Sequence, residues 1–116
     1  MAKDDYYVIV AKILVFLYRR LKGQIETKPE DYIIAGTEEF PISDDYLKFV
    51  LESMTDHQMI KGVKVRRTWN GDDIMVSNLN RIQITQEGID YLQENTTIRK
   101  IVKMIPGAAA IAELFI

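Results

Sequence analysis

The sequence lacks cysteine, contains a single histidine and has no surplus of basic residues, and each of these features narrows what the protein can do. Without cysteine, the chain has no disulfide, no thiolate metal site and no thiol nucleophile. The same lack fits an intracellular, cytoplasmic location. Fifteen basic against seventeen acidic residues give a net charge of −2, which disfavours general affinity for nucleic acid but leaves room for local basic patches.

A long uninterrupted apolar run is also missing. The stretch 8–21 is strongly apolar, but Lys12, Arg19 and Arg20 interrupt it, and it is shorter than the roughly 20 residues that a membrane span needs. Two acids within residues 1–5 differ from the basic leader of a signal peptide. We therefore expect one globular domain in the 116 residues.

The first half of the chain has helical patterning. The first helix is predicted from Asp4 or Asp5, either of which can cap it, to Lys22–Gly23, and its wide apolar face indicates burial on more than one side. A short second helix is predicted over Pro29–Gly36. The third begins at Ser43 or Asp44, and its predicted core positions are Tyr46, Leu47, Val50, Leu51 and Met54.

The second half begins with a hairpin pattern. Val63 and Val65 alternate with Lys64 and Arg66, and Asn70–Gly71 is typical of a hairpin turn. The return strand is predicted over 74–76 and 82–84, with an irregularity at 77–80. It leads directly into a helix from Thr85 to Asn95, and Thr85 can cap that helix.

This order of helix, short helix, helix, hairpin and helix predicts an α+β, mostly helical fold. We interpret residues 1–95 as a winged-helix domain, a helix-turn-helix variant with a wing of two or three strands. Residues 96–116 are predicted to form an amphipathic, then apolar, C-terminal helical tail that Thr96 or Thr97 caps.

Four segments resemble the YjcQ-like proteins of Gram-positive bacteria and their phages. They are residues 1–14 (MAKDDYYVIVAKIL), 46–51 (YLKFVL), 59–63 (MIKGV) and 84–95 (ITQEGIDYLQEN). The resemblance implies a winged-helix domain, often of prophage origin. It carries no established biochemical activity, so it implies no functional residues.

Catalytic chemistry has little support in the sequence. The only histidine, His57, stands at the predicted end of the third helix, where it is best interpreted as a helix C-terminal cation or a turn residue. Asp44–Asp45 fits a helix start and Asp72–Asp73 a hairpin turn, and no glycine-rich phosphate loop follows a strand. We expect no enzyme activity, cofactor, metal or small-molecule substrate.

The third helix and the hairpin differ in charge. The predicted outward face of the helix carries Asp45, Lys48, Glu52 and Asp56, and three acids beside DNA phosphates disfavour its insertion into a groove. The candidate nucleic-acid contacts lie instead in the hairpin: Lys61, Lys64, Arg66, Arg67, Trp69 and Arg81. In the alternative interpretation, these bases only deter edge-to-edge aggregation and Trp69 packs against the hairpin.

The tail is the other candidate site, because its apolar residues must be buried somewhere. They are Ile98, Ile101, Val102, Ile105, Ile111, Leu114 and Phe115. Contact with a second copy is the first interpretation, packing on the chain's own domain the second and membrane attachment the last.

The hairpin and the tail together leave two functions open. One is a winged-helix DNA-binding or regulatory protein of a bacterium or prophage, which contacts phosphate through its basic wing. The other is a non-enzymatic interaction or oligomerisation module.

Overall fold

The α+β, mostly helical fold predicted from the sequence is confirmed. A computed structural model describes residues 2–67, 69 and 74–105, with the backbone alone at 2–5, 74, 75 and 77. The helices are α1 (Ala2–Leu21), α2 (Pro29–Tyr32), α3 (Asp44–Asp56), α4 (Gln86–Glu94) and α5 (Thr96–Val102). The strands are β1 (Ile60–Lys61), β2 (Lys64–Arg67), β3 (Ile74–Ser77) and β4 (Gln83–Ile84), and a 3₁₀ turn over Leu79–Arg81 precedes β4.

Helix α1 is the centre of the core. It begins at Ala2, so the predicted caps Asp4 and Asp5 lie inside the helix and the prediction that one of them caps it is wrong. Every residue from Ile9 to Tyr18 except Lys12 is buried, which confirms burial on more than one side. The helix packs against α3, α4, β4 and α5, so it is the element around which the others are arranged.

Helix α2 starts at Pro29 as predicted but ends at Tyr32, well before Gly36. The Ile33 N–H still donates to the Pro29 carbonyl (2.8 Å), whereas the Gly36 N–H donates forward to the Phe40 carbonyl (2.9 Å). A turn therefore replaces the predicted last helical turn, because the backbone of 36–40 bonds to itself.

The hairpin is interrupted in the middle. Strands β2 and β3 pair antiparallel from Lys64 opposite Ser77 to Arg67 opposite Ile74, and β1 pairs with β4. Between these pairs, Gly62 and Val63 lie opposite the longer segment 78–82, which confirms the predicted irregularity. Gly62 has φ +87°, and a Cβ there would overlap the Arg81 carbonyl, so glycine is required at this approach. The predicted turn at Asn70–Gly71 and the pair Asp72–Asp73 lie outside the described residues.

Side-chain caps mark the starts of α3 and α4. Ser43 caps α3 by accepting from the Tyr46 N–H (3.1 Å), and Thr85 caps α4 by accepting from the Gly88 N–H (3.0 Å). The Thr85 hydroxyl also donates to the carbonyl of Gln58, just after α3. The predicted caps are therefore confirmed, and Thr85 connects the start of α4 to the end of α3.

The first part of the predicted tail belongs to the core of the same chain. Asn95 caps α5 by accepting from the Ile98 N–H (3.0 Å), in place of the predicted Thr96 or Thr97, because both threonines already lie within the helix. Ile98 and Val102 are buried against the core, and Ile101 and Ile105 are partly buried. Intrachain packing thus accounts for Ile98 and Val102. The remaining tail candidates, Ile111, Leu114 and Phe115, lie outside the described residues.

Candidate nucleic-acid interface

The basic residues of β2 divide between its two faces. Lys64 and Arg66 are exposed and, two positions apart, share one face of the strand. Arg67 points the other way and forms an ion pair with Glu52 of α3, with Nη2 2.9 Å from Oε2. The Glu52 side chain is only 14% exposed, so this carboxylate neutralises Arg67 in a partly desolvated setting. Among the predicted contacts, Arg67 therefore has a charge that a carboxylate of α3 already balances.

Trp69 lies just beyond β2 and is fully exposed. The prediction that Trp69 packs against the hairpin is therefore wrong, whereas the other part of that alternative, in which the bases deter aggregation, stays open. A fully exposed indole beside exposed cations offers a flat surface on which a nucleic-acid base can stack.

The outward face of α3 differs from the helical-wheel expectation. Asp45 and Asp56 are exposed as predicted, but Glu52 turns toward β2, and Lys48 forms an ion pair with Asp44 (3.0 Å). Lys48 therefore does not offset the acids at the exposed positions. The face remains acidic, because its lysine is held by a carboxylate one turn earlier.

A basic cleft lies where the end of α1 meets the base of the hairpin. Its volume is about 440 Å³, and it is lined by Arg20, Lys61, Gly62, Asn80, Arg81 and Gln83. None of the described residues that line it is acidic. Two predicted residues, Lys61 and Arg81, meet here, and Arg81 lies on the 3₁₀ turn instead of on a strand.

Arg20 is a cation of this cleft that was not among the predicted contacts. In the sequence, Arg20 fits the usual preference for a basic residue in the last turn of a helix, so its position does not by itself indicate a binding role. Only the packing of α1 against β4 brings it to Lys61 and Arg81. The one sequence signal was that basic residues are concentrated both at the end of α1 and along 61–67.

A second cavity, of about 480 Å³, has mixed charge. Its lining includes Lys12, Arg19, Tyr32, Glu38 and Glu39. Lys12 Nζ donates to the Glu39 carbonyl (2.8 Å), and the Tyr32 hydroxyl donates to Glu39 Oε2 (3.3 Å). Burial, with help from the Glu39 carboxylate, raises the pKa of Tyr32 to about 12. Arg19 Nε is buried without a hydrogen-bond partner. The acids make this cavity a poorer anion site than the basic cleft.

An aromatic cluster covers the surface between α1 and α3. It consists of Tyr6, Tyr7, Tyr46 and Phe49. Phe49 stacks on Tyr46 at 6.2 Å between ring centroids and meets Tyr6 at 6.3 Å. Phe49 is 49% exposed and Tyr7 37% exposed, so the cluster presents ring surface to solvent.

The remaining chemistry is sparse. His57 is exposed at the end of α3, with Nδ1 2.8 Å from the Ser53 carbonyl oxygen. Among the residues that the structure describes, no group of three or more histidine, aspartate or glutamate side chains could hold a metal ion. Within the same residues, no helix combines the length and the apolar character needed to cross a membrane.

These features define a small, mostly helical α+β domain with a basic hairpin and an acidic third helix. The chain belongs to the YjcQ protein family, whose model matches residues 12–108, and this confirms the family resemblance. No curated protein and no solved structure matches the chain.

Proposed function

We propose that the chain is a winged-helix protein of a bacterium or prophage that binds nucleic acid, in a regulatory role, mainly by holding phosphates along its hairpin. Three helices, an antiparallel hairpin and a closing helix support the winged-helix assignment. In this mode, α3 does not enter the groove.

The observation that carries the proposal is the separation of charge between hairpin and helix. Lys61, Lys64, Arg66 and Arg81 are exposed on the hairpin side, whereas α3 exposes carboxylates and balances its own lysine. Phosphate contacts supply much of the affinity for nucleic acid but no sequence information. We therefore expect weak sequence preference, with Trp69 stacking on accessible bases.

The decisive measurement is the titration of a fluorescent duplex at low salt with the full chain and with the double variant Lys64→Ala, Arg66→Ala. Each lost phosphate contact should reduce the slope of log affinity against log salt by about one, so the double variant should lose about two and bind at least tenfold more weakly. Arg67 is left intact, because its removal would leave the Glu52 carboxylate without its cation.

The matched control is Arg99→Ala with Lys100→Ala, which removes the same charge from exposed positions of α5. Equal weakening by both double variants would mean that net charge alone governs binding, and the hairpin assignment would be wrong. Absence of binding by the unaltered chain would refute the function itself. Trp69 is the only tryptophan, so quenching of its fluorescence reports independently whether a base stacks there.

A second candidate function is self-association, which the aromatic cluster favours. Tyrosine and phenylalanine are enriched at the centres of protein interfaces, and the exposed rings of Phe49 and Tyr7 are suited to pack against a second copy. Dimerisation through the tail remains a further prediction.

A further inference from the structure

The basic cleft has the composition of an oxyanion site. Arg20, Lys61 and Arg81 supply cationic donors, and Asn80 and Gln83 supply neutral amide donors. Arginine forks bind phosphate oxygens in pairs, and a lysine adds a point charge. No acidic residue is among the described residues around the cleft, whereas the adjoining cavity, which shares Arg20 and Gln83, includes Glu26.

The backbone around the cleft is constrained by a close approach and by a tight turn. Gly62, with φ +87°, allows β1 to approach the Arg81 carbonyl so closely that no side chain would fit. On the opposite side, Asn78 is left-handed (φ 63°), and the Arg81 N–H donates to its carbonyl at 2.9 Å. The interruption of the hairpin therefore sets the position of Arg81 relative to Lys61.

Electrostatics favours an anion in this position. Three cations around a cleft of about 440 Å³ repel one another, and a bound oxyanion would remove that repulsion. A cleft lined by charges of one sign also concentrates their field, which raises the local concentration of the opposite ion.

We propose that the basic cleft is a seat for one phosphate group, held by Arg20, Lys61 and Arg81. This site extends the basic surface of the hairpin to the end of α1. The proposal rests on the proposed function only where it names nucleic acid as one source of the phosphate. The group belongs either to the backbone of a bound nucleic acid or to a free phosphate ester, and the chemistry of recognition is the same.

The first test titrates inorganic phosphate into the full chain and follows the backbone amide resonances of Gly62, Asn80 and Gln83. We expect a saturable shift that an equal ionic strength of chloride does not produce. Arg20→Gln and Arg81→Gln should each weaken phosphate binding roughly tenfold or more, because each removes charge-assisted hydrogen bonds. Arg99→Gln, the same charge change on α5, should leave it unchanged.

Two features keep this test independent of folding. Arg81 lies on an exposed turn, so Arg81→Gln and Lys61→Gln decide the question even if Arg20→Gln impairs the end of α1. Arg20→Lys keeps the charge but loses the fork, and it should recover part of the affinity. Shifts that chloride reproduces, or that all variants retain, would refute the seat.

The second test measures duplex binding of the same variants and separates the seat from the proposed function. A backbone phosphate in the seat predicts that Arg81→Gln lowers the salt slope by about one. Unchanged duplex binding, combined with lost inorganic phosphate binding, would assign the seat to free phosphate esters. If no duplex binds, the proposed function fails while the phosphate titration still decides the seat. If the variants alter neither ligand, the seat is refuted and the function stands.

Discussion

Adjacent residues of one strand have different electrostatic roles in this protein. Successive side chains of a strand point to opposite faces, so Arg66 faces solvent while Arg67 meets Glu52 of α3. The Arg67–Glu52 pair ties the hairpin to the helix, and Arg66 remains available to a partner. A substitution at either position therefore tests a different property, binding at Arg66 and the docking of the hairpin at Arg67.

Tyr32 should make stability depend on alkaline pH. Its ring stacks on Phe16 (4.2 Å), and burial followed by the Glu39 carboxylate raises its pKa to about 12. The unfolded chain loses this proton near pH 10, so the contribution is complete below pH 10 and disappears as pH rises toward 12. Tyr32→Phe should therefore reduce the fall in the free energy of unfolding over that range, as urea unfolding at a series of pH values would measure.

Glu39→Gln is the companion variant for this prediction. It removes the carboxylate charge that is, after burial, the next largest cause of the raised Tyr32 pKa. It should therefore also reduce the fall in the free energy of unfolding at alkaline pH, but less than Tyr32→Phe does. If both variants kept the full pH dependence of the unaltered chain, the assignment of that dependence to Tyr32 would be wrong.

Residue-level features were predictable when they depended on neighbours in sequence. Ser43 and Thr85 are predicted and confirmed as caps, because a cap acts within its own first turn. The predicted caps of α1 and α5 were wrong, because both of those helices begin earlier than the sequence pattern indicates. Arg20 in the cleft and the Arg67–Glu52 pair were not predicted, because each depends on elements that only folding brings together. The sequence thus located most of the basic surface but not the pairing of Arg67 with Glu52.

At the level of elements, the hairpin and α5 show where patterning is sufficient and where it is not. The interruption near 77–80 was visible because the alternation of the return strand fails there, but the close approach at Gly62 is a tertiary contact. For α5, the spacing of Ile98 and Val102 indicated an apolar face without indicating what covers it. The structure covers it with the chain's own core.

Ile98→Ala should therefore destabilise the whole domain. Ile98 is fully buried, and removal of a core isoleucine side chain to alanine typically costs about 2–5 kcal/mol. Thr97→Ala, on the exposed side of the same helix, should change the free energy of unfolding by less than about 0.5 kcal/mol. If denaturant unfolding shows equally small losses in the free energy of unfolding for Ile98→Ala and Thr97→Ala, then α5 does not pack on the core.

At the scale of the whole molecule, a net charge of −2 hides a division into surfaces of different character. The hairpin and the basic cleft are cationic, the exposed positions of α3 are acidic, and the aromatic cluster lies between α1 and α3. Net charge governs solubility and long-range attraction, whereas the local field at the cleft governs which ion binds there. An acidic isoelectric point is therefore compatible with phosphate binding at one place on this protein.

The same division predicts how the molecule would self-associate. If the aromatic cluster forms a two-fold interface, the full chain should be a dimer by light scattering, and Tyr7→Ala with Phe49→Ala should make it a monomer. Leu21→Ala is the control, because Leu21 is an exposed apolar residue at the far end of α1. A chain ending at Ile105 keeps α5 but removes Ile111, Leu114 and Phe115. If this shortened chain is a monomer while the Tyr7→Ala, Phe49→Ala variant stays a dimer, the contact belongs to the tail. A full chain that stays monomeric as its concentration rises would rule out self-association by either surface.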